Sequence, residues 1–191
     1  MKKFHGFLYH ITRYNKWQVG DKLEFGGKEN LFAKKMFETD FLVDDMDILG
    51  LFQKKSCKDF TKEEEDKAKN YVYESTQMLR ELVLENVRAK EFPNRPSRLE
   101  CLYCVETFEE AKSWIEPLKR MHKSEPPLQI VKLKVKGKIF KGEGNLMLRN
   151  TLSLNSKKEM ARQYWQGIDT PILPEILFVG KAEVKEILEE F

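Results

Sequence analysis

Ile130-Val131-Lys132-Leu133-Lys134-Val135-Lys136-Gly137-Lys138-Ile139-Phe140 sets apolar side chains against lysines at alternate positions. Side chains on a strand point to opposite faces in turn, so Val131, Leu133 and Val135 are expected to line a core while Lys132, Lys134 and Lys136 meet water. One dry face and one wet face describe a half-covered sheet. Upstream, Ser124-Glu125-Pro126-Pro127 breaks the chain, and downstream Gly142-Glu143-Gly144 turns it.

Working outward, Arg98 to Val105 (RLECLYCV) reads as a buried strand, and Thr107-Phe108-Glu109-Glu110 as a capping box opening a helix through Met121. A third strand, Phe7 to Thr12 (FLYHIT), carries His10 near its end. Between these lies helical sequence. Asn30 to Phe41 predicts a short helix, and Asp44-Asp45-Met46-Asp47 a solvated acidic loop, since it lacks the glycine turn and distal Glu of a calcium loop. Thr61-Lys62-Glu63-Glu64 is a capping box; behind it Ala68, Tyr71, Val72, Ser75, Met78, Leu79, Leu82, Val83 and Val87 trace one inward stripe, ended by Phe92-Pro93. Beyond the lysine strand, Ser156-Lys157-Lys158-Glu159 is a third capping box, and its helix carries Met160, Ala161, Tyr164 and Trp165 up to Gly167. Pro171 to Pro174 is an extended link, Glu175 to Gly180 a strand that starts on an acid, and Val184 to Phe191 a short closing helix. Strands and helices alternate without regular βαβ units, so the expected fold class is α+β in a single domain, 1–191, with a helical insert over about 28–92.

Length and composition agree with one well-packed domain. The chain has 191 residues, 41% hydrophobic and 34% charged, and its 34 basic against 31 acidic residues leave a net charge of only +3. No long apolar run marks a membrane span or signal core, and the odd count of three cysteines suits a reducing compartment, so the expected location is the cytoplasm.

Several site chemistries fail on spacing. Cys101-x-x-Cys104 is half a zinc pattern, but residues three apart on a strand face opposite ways and no second Cys pair exists; no metal is expected. Neither GxxxxGK nor GxGxxG is present, nor a Gly-x-Ser-x-Gly elbow, which leaves no signature for a phosphate loop or a serine nucleophile. Lys132, Lys134, Lys136, Lys138 and Lys141 offer a nucleic-acid reading, although a solvated sheet face explains them more simply.

One constellation joins three distant places: Tyr9-His10-Ile11-Thr12, then Leu102-Tyr103-Cys104 with Glu110-Ala111, and finally Pro174-Glu175-Ile176-Leu177-Phe178-Val179. In order and context these segments resemble the ADP-ribosyltransferase superfamily on its diphtheria-toxin and poly-ADP-ribose-polymerase side, and also bacterial proteins of unknown function remotely related to it. The resemblance implies a sheet of mixed or antiparallel strands that binds NAD as substrate. It implies Glu175 as the catalytic carboxylate, stabilising positive charge on the ribose as nicotinamide leaves. Likewise it implies His10 as the group that orients a ribose hydroxyl, the main chain at Ile11 just after it as the holder of the nicotinamide amide, Thr12 as a further NAD-binding residue, and Tyr103, with Tyr9 as substitute, as the stacking platform. Leu173 stands two positions before Glu175, where arginine-modifying relatives carry an acid or amide, so an acceptor other than protein arginine is expected.

The function expected is therefore ADP-ribosyl transfer or NAD glycohydrolysis. Two alternatives are a non-catalytic homodimer on the same fold, joined through the helix from Thr61 to Glu91, and a nucleic-acid binder using the lysine strand.

Overall fold

The computed structural model describes residues 1–43, 46–121, 126–148 and 151–191. Along the chain run β1 (Lys2–Thr12), β2 (Lys22–Phe25), α1 (Leu31–Glu38), β3 (Leu42–Val43), β4 (Met46–Asp47), α2 (Ile48–Lys54), α3 (Lys62–Glu91), β5 (Leu102–Cys104), α4 (Phe108–Met121), β6 (Gln129–Glu143), α5 (Leu154–Gln166) and β7 (Pro174–Glu190). Helices and an antiparallel sheet occupy separate stretches, which is α+β. Asp44 and Asp45 of the acidic run and Ser124 and Glu125 of the chain break lie outside the described residues, while Asp47 caps α2 by accepting the Gly50 amide at 2.8 Å.

Every described pairing in the main sheet is antiparallel, in the order β1-β6-β7-β2, with β5 added on the start of β7. Tyr9 and Val105 then exchange two backbone hydrogen bonds of 2.9 Å, tying β5 back to β1. The sheet thus curls on itself, and its concave side encloses Leu8, Leu102, Val131, Leu133, Ile176 and Phe178. Each such side chain contributes roughly 1.5–3 kcal/mol by leaving water. Along β6 and β7, Gly137 faces Gly180, whose φ is +141°; a Cβ on Gly137 would lie 2.1 Å from the Val179 carbonyl oxygen.

The convex side is covered in two places. Phe140 and Leu177 pack under Val83, Leu84 and Val87 of α3 and Met160, Tyr164 and Trp165 of α5. Ile130 and Val105 pack under Ala111, Trp114 and Ile115 of α4. Lys134 and Lys136 are exposed as the alternation predicts, and Lys138 with them, while Lys132 is half-buried.

Four expectations are corrected. The tail is not a helix, because β7 continues to Glu190 and pairs with β6 down to Gln129. α5 starts a turn early: the Ser153 hydroxyl, not that of Ser156, caps it by accepting the Ser156 amide. Only Leu102–Cys104 of the RLECLYCV run is strand; Arg98 precedes it in a turn. The inward stripe of α3 is also displaced, since Val72, Leu79 and Leu82 are about half exposed while Gln77, Arg80 and Glu81 are buried with Leu84 and Val87. The capping boxes at Thr61 and Thr107 form as expected.

Candidate functional site

A cleft of about 170 Å³ opens where β1 ends, β5 passes and β7 begins, walled by α1 and α3. Tyr9, His10, Ile11, Thr12, Tyr103 and Glu175, from three segments far apart in sequence, all line it. The strand pairings bring them together: Tyr103 sits opposite Leu177 on β7, and Tyr9 is bridged to Val105. Cys101 and Cys104 fall in different core clusters, and among the described residues no group of three or more His, Cys, Asp or Glu could hold a metal. Burial pushes both thiols up, leaving them poor nucleophiles at neutral pH.

His10 is fixed from two sides. Its Nδ1 lies 2.7 Å from the Tyr103 carbonyl, and since a carbonyl only accepts, Nδ1 carries the proton and Nε2 the lone pair. Trp17 stacks on the ring at 4.7 Å and 21°, itself held through its main chain by the Gln129 amide group. Burial lowers the His10 pKa to about 4, with Arg13 adding to the effect, so the ring is neutral and Nε2 accepts throughout the physiological range.

Tyr103 is anchored by its hydroxyl, which donates to the Arg98 carbonyl at 2.7 Å. The Arg98 guanidinium lies over its ring, 5.0 Å from the centroid, and Phe32 meets it edge-on. Tyr9 and Ile11 lie on the opposite side of β1 from Leu8 and pack with the residues under α4. Of the two rings expected as platforms, Tyr9 thus packs on the α4 side, whereas Tyr103 is held between Arg98 and Phe32.

Glu175 is 7% exposed. Arg98 Nη1 and the Tyr164 hydroxyl both donate to Oε2, leaving Oε1 without a hydrogen bond among the described residues. Arg98 also donates from Nε to Glu81 at 2.7 Å, and Glu81 receives Arg80 at 2.8 Å. Two buried cations and two buried carboxylates therefore neutralise one another, the arrangement buried charges require. Burial would raise Glu81, but Arg98 and Arg80 outweigh it and hold its carboxyl below the usual range. Against the same burial, Glu175 and Glu81 keep Arg98 charged. The strand start itself is clamped: Trp114 Nε1 donates to the Pro174 carbonyl at 2.7 Å, and Glu143 accepts the Ile172 and Leu173 amides.

Sequence reasoning missed Arg80, Glu81, Arg98, Tyr164, Trp17 and Arg13. One signal existed for Glu81: it shares a helical stripe with Leu84 and Val87, and a charge on an apolar stripe needs a buried partner. Trp165 is fully buried with its indole donating to the Leu84 carbonyl at 2.9 Å. The lysine series is interleaved with acid, Lys132 pairing Glu186 at 3.7 Å and Lys141 pairing Glu106 at 2.8 Å.

No helix among the described residues is long and apolar enough to cross a membrane. No curated protein matches the sequence. The model of the family DUF2441, described as a protein of unknown function, matches residues 8–190. That match spans the strand of His10, the strand of Tyr103 and the strand of Glu175 alike, and the chain belongs to the DUF2441 family.

Proposed function

We propose that the cleft binds NAD as a cytoplasmic substrate and breaks the bond between nicotinamide and ribose, passing the ADP-ribosyl group to water or another acceptor, as its likeness to ADP-ribosyltransferases suggests. The observation that carries this reading is the convergence of His10, Tyr103 and Glu175 on one cleft. In the reaction the C1′–N bond breaks, its electron pair leaves with nicotinamide, and an acceptor oxygen or nitrogen bonds to C1′ while shedding a proton. Positive charge builds on the sugar, so an ionised carboxylate held rigidly beside it stabilises the transition state more than the substrate. The reading gives this role to Glu175 Oε1, with Arg98 and Tyr164 holding the carboxylate through Oε2. His10 Nε2, an acceptor only, orients a ribose hydroxyl. The enclosed space is below the roughly 300–1,000 Å³ of ordinary ligand pockets. The reading seats the nicotinamide ring and its ribose in this space, and the adenosine end of the dinucleotide extends beyond it.

The test is nicotinamide release from NAD, with and without a cell extract as a source of acceptors. Release by the wild-type protein that falls about 100-fold or more in Glu175→Gln supports the proposal. No release by wild type, or equal release by both, contradicts it.

A second reading has one observation in its favour. Val72, Leu79 and Leu82 are exposed on one helix, and two copies of α3 packed on this face would bury them, giving the homodimer. Light scattering that returns only monomer removes this reading. The interleaved carboxylates weigh against nucleic acid as partner of the lysine face.

A further inference from the structure

Five charged side chains line the cleft, and four of them cancel: Arg80 and Arg98 against Glu81 and Glu175. Arg13 is the surplus. Its Nη1 is buried without a hydrogen-bond partner, while Nη2 reaches the Tyr14 hydroxyl at 3.3 Å. Beside it, Thr12 is 1% exposed and its Oγ1 is also unpartnered. Thr12 and Arg13 both line the cleft, and buried polar groups are nearly always hydrogen-bonded in folded proteins, so these two atoms without partners are groups that a ligand can complete. The chemistry they ask for is an anion that accepts from both, and a phosphoryl oxygen does so with charge assistance.

Position narrows the ligand further. Thr12 follows His10 by two residues of strand, roughly 7 Å, a separation comparable to one ribosyl unit. Tyr14 and Phe32 line both this cleft and a second cavity of about 280 Å³ between α1, α2 and α3. The Arg13 guanidinium lies over the Tyr14 ring, 5.1 Å from its centroid, and so stands at the junction of the two spaces. We infer that Thr12 and Arg13 form an anion subsite that receives a phosphoryl group, and that the site's ligands are phosphorylated nucleosides whose ribose reaches His10 and whose far end enters the second cavity. The inference rests on the proposed NAD reading for the occupant, but the subsite stands or falls on its own measurement.

Calorimetric titration of NAD, nicotinamide riboside and inorganic pyrophosphate into wild type, Arg13→Gln, Arg13→Lys and Thr12→Val makes that measurement. Arg13→Gln is expected to weaken NAD by about 10- to 100-fold, the effect of one charge-assisted hydrogen bond, while the phosphate-free riboside changes less than about twofold. Arg13→Lys should recover part of the loss, and Thr12→Val should weaken NAD without moving the riboside. Unchanged NAD affinity in Arg13→Gln overturns the subsite and leaves the NAD reading to be decided by nicotinamide release. Equal loss of NAD and riboside also overturns it. Arg13-dependent binding of pyrophosphate with no binding of NAD keeps the subsite and refutes the NAD reading. Failure of all three probes to bind wild type refutes both.

Discussion

Replacing Arg98 by Met tests how the buried charges hold the cleft together. The side chain of Met fills much of the space of the arginine stem but removes the cation that Glu81 and Glu175 share. Glu81 keeps Arg80 at 2.8 Å, whereas Glu175 keeps only the Tyr164 hydroxyl. A buried carboxylate stripped of its cation costs about 3–5 kcal/mol, and for a chain of this size each kcal/mol lowers the melting temperature by roughly 2–4 °C. Arg98→Met should therefore melt about 6–20 °C below wild type at pH 7. Adding Glu175→Gln to Arg98→Met removes the orphaned charge and should restore at least about 2 kcal/mol, a coupling of the size seen for directly contacting charged groups. Urea unfolding of the four proteins of the cycle reads all of these quantities. A loss below about 1 kcal/mol in Arg98→Met, or a double variant no more stable than the single one, would refute the reasoning.

Three further outcomes follow from the same geometry. Folding lowers the His10 pKa from 6.5 to about 4, so its contribution is complete above pH 6.5 and is lost as pH falls through 4, at most roughly 3 kcal/mol; His10→Gln should flatten the acid limb of stability measured by urea unfolding, and an unchanged limb would contradict the assignment. Gly142→Ala puts a Cβ 2.6 Å from Tyr164 Cε2, forcing the ring off Glu175, and should cost about 1–3 kcal/mol by overpacking; a melting curve identical to wild type would show that the ring has room. Thr61→Ala removes a capping box in which Thr61 Oγ1 accepts the Glu64 amide and Glu64 accepts the Thr61 amide, and should lower stability by about 1 kcal/mol, read by thermal melting.

Sheet and site were legible to different depths for identifiable reasons. Lysine alternation in β6 was readable because one of its faces is wet, and the expectation that His10, Tyr103 and Glu175 sit on three strands was readable because each stands in an apolar run, β1, β5 and β7. The end of β7 was not. Two register shifts against β6 leave Lys185 and Leu188 without paired partners, so Val184 and Ile187 both reach the concave core although they are three residues apart. That spacing is the one a helix shows, and long-range pairing overrode it. α3 misled in the opposite way: three of its apolar positions, Val72, Leu79 and Leu82, face outward, while Gln77, Arg80 and Glu81 are buried because Arg98, remote in sequence, arrives to neutralise Glu81. No local pattern announces a partner 17 residues away in a turn. Ser153 was passed over for Ser156 because the Glu three residues after Ser156 completes a capping-box pattern, yet the Lys157 amide bonds the Ser153 carbonyl at 2.8 Å and the helix is already under way.

A crystal structure of the protein bound to a slowly cleaved NAD analogue tests the central claim most directly. The account predicts the nicotinamide ring against Tyr103, a ribose hydroxyl on His10 Nε2, and the anomeric carbon facing Glu175 Oε1. Density for the analogue elsewhere on the molecule, or a cleft that stays empty at saturating ligand, would contradict it.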